Sequence, residues 1–308
     1  FYACSISFRY FQINLPQRWK KCSVKIFQLW QWEFAELDKV LDFNPHAILN
    51  QRSFRKITRE RFGVSSVTPI NWRNGRKNIE LNNHPVKEKI QLQLDNPADC
   101  ATKLLNGDVD LGLVPVAIIP ELKESHIISD YCIGADGAVE TVCLFSEVPL
   151  NEIEEVILDY QSRTSVQLVQ MLAQKHWKIS PKWKQADTNF IQSIKGKTAA
   201  VVIGDRAFSL IHKFPVVKDL AQEWKELTGL PFVFACWVSN RPLSTEFVLE
   251  FRAALKFGLK NKTKAIHSLA DGNEHTLVRY VESVISYKLD DKKLQALKLF
   301  YDWLSKSL

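Results

Sequence analysis

Residues 199–203, Ala-Ala-Val-Val-Ile, form an apolar run without polar alternation, and Gly204-Asp205 ends it. A strand with one wet face alternates; a strand that never alternates needs cover on both faces. A second such run, Phe232 to Val238, follows Leu230-Pro231. Two strands of this kind restrict the chain to layered α/β architectures, with helices packed above and below a sheet.

The surrounding segments agree with that restriction. A strand is expected at 62–67, and Ile90 to Leu94 alternates strictly, as a strand does. Asn96-Pro97-Ala98-Asp99 has the composition of a helix start, and Asn106-Gly107 that of its end. Val109 to Pro115 reads as a strand leading into a short helix at Val116 to Ile119. Further strands are expected near Ile127 and at Thr141 to Phe145, and helices at 247–259, 274–284 and 290–304. Strands alternating with helices predict parallel sheets, and ligands in such folds sit beyond the carboxyl ends of the strands. Thr141, the turn at 162–165 and Gly204-Asp205 occupy such positions.

That turn lies between an apolar strand ending at Leu158-Asp159 and a helix whose apolar residues are Val166, Leu168, Val169, Leu172 and Ala173. Gln161-Ser162-Arg163-Thr164-Ser165 carries hydroxyls and a guanidinium but no carboxylate. Two readings stand. The hydroxyls cap the helix, with Gln167 completing a capping box if Thr164 is the cap. Alternatively, the first-turn N–H groups and the helix dipole hold an anion.

Bulk properties exclude several function classes. The chain has 308 residues, enough for two lobes, and no apolar segment approaches the ~18–20 residues of a membrane span. Net charge is +7, but residues 1–60 hold ten Lys/Arg against five Asp/Glu. The rest of the chain is nearly neutral, so a nucleic-acid partner is not expected. Cys4, Cys22, Cys100, Cys132, Cys143 and Cys236 form no CxxC pair and have no His at zinc spacing. They read as free thiols in a reducing compartment, not as a metal site. Phe1 to Leu15 is interrupted by Arg9 and lacks a small-residue cleavage site, so a cytoplasmic location is expected.

Six segments, taken in order, resemble one family. They are Leu104 to Val116 (LLNGDVDLGLVPV), Ile128 to Gly134, Thr141 to Ser146, Leu158 to Ser165 (LDYQSRTS), Val202-Ile-Gly-Asp205 and Thr228 to Ala235. Together they are similar to the chorismate dehydratases of the futalosine route to menaquinone. The resemblance runs from about residue 56 to the C-terminus and leaves out 1–55, which reads as an atypical extension.

The resemblance implies a two-lobed periplasmic-binding-protein-like (type II) α/β fold, with a ligand cleft between the lobes, used as an enzyme. The first lobe would be 56–146 plus 231–308 and the second 147–230, with crossings near 145–149 and 230–232. The implied reaction removes water from chorismate and leaves 3-[(1-carboxyvinyl)oxy]benzoate. Asn71 and Thr141 would line the reacting centre, Asn71 standing at the end of Val64-Ser-Ser-Val-Thr-Pro-Ile-Asn71. Ser162, Thr164 and Ser165 would orient one substrate carboxylate, and Arg163 would add a charge-assisted bond. Asp205, grouped with these, has three open roles: helix cap, acid or base, and hinge hydrogen-bonder.

Neither Asn nor Thr is a competent base near neutral pH, so the substrate's own side-chain carboxylate is expected to take the proton. Gain of aromaticity drives the elimination, so no metal or redox cofactor is expected. The chain departs from the family pattern at Trp72-Arg-Asn-Gly-Arg-Lys-Asn-Ile79, where a small residue, a basic residue, Pro and an aromatic usually follow the Asn. Alternative functions on the same fold are a small-carboxylate binding protein and the sister enzyme that forms dihydroxynaphthoate. A regulator's effector domain would need a helix-turn-helix, and 1–55 shows none.

Overall fold

A computed structural model describes residues 11–13, 26–27, 92–267 and 274–307. The strand expected at 62–67 and Asn71 lie outside the described residues. Two short pieces of the 1–55 segment, β1 (Phe11–Ile13) and β2 (Ile26–Phe27), pair with β3 (Leu92–Leu94).

Helix α1 (Pro97–Asn106) is bounded as its sequence requires. The Asn96 side chain accepts from the Asp99 N–H, proline takes the first helical position, and Gly107 closes the end in a left-handed conformation (φ 76°). Cys100, Ala101 and Leu104 share its buried face. Strand β4 (Leu111–Pro115) follows, and the expected short helix appears as a 3-10 segment, Val116–Glu121.

Two sheets divide the fold. With β5 (His126–Ala135), β11 (Phe232–Ser239) and β12 (Ser286–Lys288), β4 forms a sheet of order β12-β5-β11-β4. Every pairing in it is antiparallel, which corrects the expectation of parallel sheets throughout. All eight residues of β11 are buried, because β11 lies between β5 and β4 and is covered on both faces.

The second sheet contains β6 (Val142–Ser146), β7 (Glu155–Leu158), β8 (Lys182–Gln185), β9 (Thr198–Ile203) and β10 (Val216–Asp219), in the order β10-β6-β9-β7-β8. Here β7 runs parallel to both β8 and β9, while β6 is inserted antiparallel between β9 and β10. Strand β6 therefore belongs to the second lobe, and the first crossing lies between Ala135 and Val142, upstream of the expected 145–149. The antiparallel register, with Val142 opposite Ile203 and Cys143 opposite Asp219, places β6 in this sheet. The chain returns through 229–231 into β11.

Helices cover these sheets. They are α2 (Thr164–Leu172), the short α3 (Asp205–Phe208), α4 (Leu220–Thr228), α5 (Thr245–His267), α6 (Glu274–Arg279) and α7 (Asp291–Ser307). No helix among the described residues is long and apolar enough to cross a membrane. One core cluster joins residues of both lobes, and Trp224 on α4 stands in it with no exposed surface. Its ring meets Phe232, Phe300 and Trp303 edge-on, with centroids 5.1–6.3 Å apart.

Its indole Nε1 is buried without a hydrogen-bond partner among the described residues, so part of its burial is unfavourable. Trp224→Ala is expected to cost about 3–5 kcal/mol. Trp224→Phe, which removes the orphaned donor, should cost much less; urea midpoints of the two variants check the difference.

Candidate active site

Strand β7 ends at a carboxylate that water does not reach. Asp159 is 0% exposed, and three donors satisfy it. Its Oδ1 accepts from the Gln161 N–H (3.1 Å), and its Oδ2 from the Ile203 N–H (3.0 Å) and Arg206 Nη2 (2.7 Å). The turn after β7 is thereby tied to the end of β9 and the start of α3. Arg206 also donates to Gln161 Oε1 (2.9 Å), and its guanidinium lies over the Tyr160 and Phe190 rings.

Beyond that turn, Ser162 Oγ accepts from the Ser165 N–H at 3.0 Å and caps α2. Ser162, not Thr164 or Ser165, is therefore the capping side chain, and Gln167 completes no capping box with it. The Ser162 oxygen still carries a donor hydrogen. Thr164 does something else: its Oγ1 donates to the Phe234 carbonyl (3.0 Å) and accepts from the Ala117 N–H (3.3 Å). Both partners belong to the first lobe, so this side chain ties the lobes together and is not free to hold a carboxylate. Arg163 is exposed and lies outside the cleft lining; consecutive helical residues differ by about 100°, which turns it away from Ser162 and Ser165.

The crossing before β6 supplies the third element. Asp219 Oδ2 accepts from the Val139 N–H (2.9 Å) and the Glu140 N–H (2.6 Å), while its Oδ1 caps α4. Glu140 adopts φ 62°, a strained conformation for a residue with a side chain, and pairs with Arg279. Next to it, Thr141 is 2% exposed. Its carbonyl accepts from the Gly204 N–H (2.8 Å), and its Oγ1 lies 2.7 Å from the Tyr280 hydroxyl. Gly204 has φ 71° and ψ −155°, a combination open essentially to glycine alone, and so turns β9 sharply into α3.

These elements surround one cleft between the lobes. Thr141, Ser162, Thr164, Ser165 and Gly204 line it from the second lobe. Ile133, Phe234, Tyr280 and Ile285 line it from the first. Its walls are mostly apolar, with hydroxyls at the α2 start and at the Thr141–Tyr280 pair. Tyr280 was not found by sequence reasoning, since a tyrosine within an amphipathic helix has no local mark of a site. Burial, reinforced by the nearby Asp205, Asp219 and Glu140 carboxylates, pushes its phenol well above the ordinary range, so it stays a donor.

Asp205 stands just behind the cleft lining. Its Oδ2 is buried without a hydrogen-bond partner among the described residues, and burial raises the carboxyl to about 7 against the opposing pull of Arg206. Among the described residues, His176, Glu223 and Glu226 bring possible metal ligands within 4.8 Å of one another, away from the cleft. The Glu223 oxygens already accept from Lys218 and Trp177, His176 Nε2 lies 3.2 Å from one of them, and a cation there would face the Lys218 ammonium.

Residues 69–306 match the family model described as menaquinone biosynthesis. The chain belongs to this family. A chorismate dehydratase of Thermus thermophilus is 27% identical over 230 residues, covering 68% of this chain and 84% of the relative. One of Campylobacter jejuni is 29% identical over 150 residues, 46% of this chain and 66% of the relative. A crystal structure of a protein from Archaeoglobus fulgidus shares the fold, with a TM-score of 0.54 at 14% identity, covering 69% of this chain and 84% of that one. The family match contains Asn71 and the divergent segment at 72–79, as well as every cleft residue named above.

Because the folded chain of this family member holds the Asp205 proton to about pH 7 while an unperturbed carboxyl releases it near 3.8, the folded state binds more protons between those values. Its contribution to stability is therefore full below about pH 4 and is lost as pH rises through 7. Asp205→Asn should flatten that slope and stabilise the fold more at pH 8 than at pH 5, measured by denaturant midpoints at both.

Proposed function

We propose that this chain removes water from chorismate to give 3-[(1-carboxyvinyl)oxy]benzoate, in the cytoplasm, on the futalosine route to menaquinone. The observation that carries the reading is the polarity of the cleft: apolar walls between two separated sets of hydroxyls, in a chain of the menaquinone biosynthesis family. Chorismate matches that arrangement with a ring, a carboxylate at one end and the departing hydroxyl toward the other.

The ring carboxylate lies at the start of α2, against the Ser162 and Ser165 hydroxyls and the first-turn N–H groups that the Ser162 cap leaves open. Thr141 meets the ring hydroxyl, and Asn71 is a further residue for holding the substrate. Asp205 supports this end of the cleft from behind Gly204. The proton leaves the ether-bearing carbon for the substrate's own side-chain carboxylate. Its electron pair becomes the new ring double bond, and the carbon–hydroxyl bond breaks. The departing hydroxide takes up the proton that the side-chain carboxylate then releases, so the net loss is one water and no oxidant or metal is needed. Apolar walls strengthen each hydrogen bond to the developing charge.

The test is incubation of the purified chain with chorismate, following loss of the diene absorbance and identifying the product by mass. Formation of the carboxyvinyloxy benzoate is expected, with Asn71→Ala abolishing it. Binding without product would make the chain a carboxylate-binding protein instead. Ser165→Ala should raise KM about tenfold, the order of one hydrogen bond to a charged group. Chorismate with its side-chain carboxylate converted to an amide should not turn over; normal turnover would rule out substrate-assisted proton removal.

A further inference from the structure

Tyr280 enters the cleft from the C-terminal helices and is distant along the chain from every segment that carries the family resemblance. It stands at the start of a wide, π-helical turn, Tyr280–Val284, that follows α6. Such turns are rare and gather at functional sites. The Ile285 N–H closes this one onto the Tyr280 carbonyl at 3.1 Å. The ring is held edge-on against Phe208, with centroids 5.3 Å apart, and its neighbour Arg279 grips Glu140. Two consecutive residues thus clamp two consecutive residues: Arg279 to Glu140, and Tyr280 to Thr141.

The direction of the hydrogen bond follows from what else each hydroxyl can reach. Thr141 Oγ1 is the acceptor within reach of the Tyr280 hydroxyl among the described residues, so the buried phenol hydrogen points there. Thr141 then keeps its own hydrogen for another acceptor. Within the protein that acceptor is the Val139 carbonyl at 3.4 Å, a long and weak bond that a ligand oxygen easily replaces.

We propose that Tyr280 is a positioning residue: its hydroxyl donates to Thr141 Oγ1 and so turns the Thr141 hydrogen into the cleft, toward the oxygen that leaves the ring. This rests on the dehydratase reading. A donor already aimed at the leaving oxygen needs no reorientation as negative charge develops there. The phenol also polarises the threonine hydroxyl, because a hydroxyl that accepts a hydrogen bond becomes a better donor. Tyr280 need not touch the substrate ring to affect the rate.

The test is a double-mutant cycle on chorismate turnover, with kcat and KM measured separately. Tyr280→Phe keeps the ring and should lower kcat about tenfold, the size of one neutral hydrogen bond placed in the barrier, with KM nearly unchanged. Thr141→Val should lower kcat at least as far. In the Thr141→Val background, Tyr280→Phe should have no further effect, because the phenol acts through a hydroxyl that is gone. Equal losses in both backgrounds, or full kcat in Tyr280→Phe, overturn the proposal while leaving the dehydratase reading intact. Absence of product from the unaltered chain overturns both. If Tyr280→Phe does not fold, 3-fluorotyrosine placed at 280 keeps shape and hydroxyl while making the phenol more acidic. A rise in kcat supports the proposal, and an unchanged kcat overturns it.

Discussion

The cleft depends on a carboxylate that has no access to water. Asp159 holds a turn, a strand end and a helix start together with two oxygens. An unpaired charge in that position would be strongly destabilising, so its three donors fix the geometry closely. Arg206 is in turn flanked by Tyr160 and Phe190, which limits the positions its guanidinium can take. The α2 start and the Gly204 turn face one another because both are fastened to this side chain.

A second set of bonds fastens the lobes themselves. Thr164 reaches into the first lobe with both functions of its hydroxyl, and Asp219 holds the crossing at Val139 and Glu140 while capping α4. The start of α2 is thus fixed to strand β11 as well as to its own sheet. A cleft built this way has its polar groups set before any ligand arrives, and orientation then does not have to be purchased with binding energy.

Much of this was legible in the sequence wherever local chemistry decides the outcome. Apolar runs marked β9 and β11, Asn96, Pro97 and Gly107 marked α1, and the hydroxyl-rich turn marked the start of α2. The limits were equally physical. Strand β8 is exposed along its length and carries Lys-Trp-Lys-Gln, so no hydrophobic period reveals it. Strand β6 is apolar in either lobe; only its partners β9 and β10 decide where it belongs. The Thr164 hydroxyl looked like a ligand donor because residues 117 and 234, which occupy it, are distant in the chain. Tyr280 was invisible for the same reason, lying 139 positions from its partner.

The insertion of β6 between β9 and β10 bears on how this architecture can be divided. A boundary drawn after residue 146 looks natural on the sequence, yet it removes an interior strand from the second sheet and leaves β10 without its neighbour. The second lobe is therefore not a module that gene fusion or recombination can lift out as 147–230. Its smallest self-consistent piece begins before Val142, inside the crossing that also carries Thr141. Exchange of this lobe between relatives thus carries a wall of the cleft with it, so scaffold and site are inherited together.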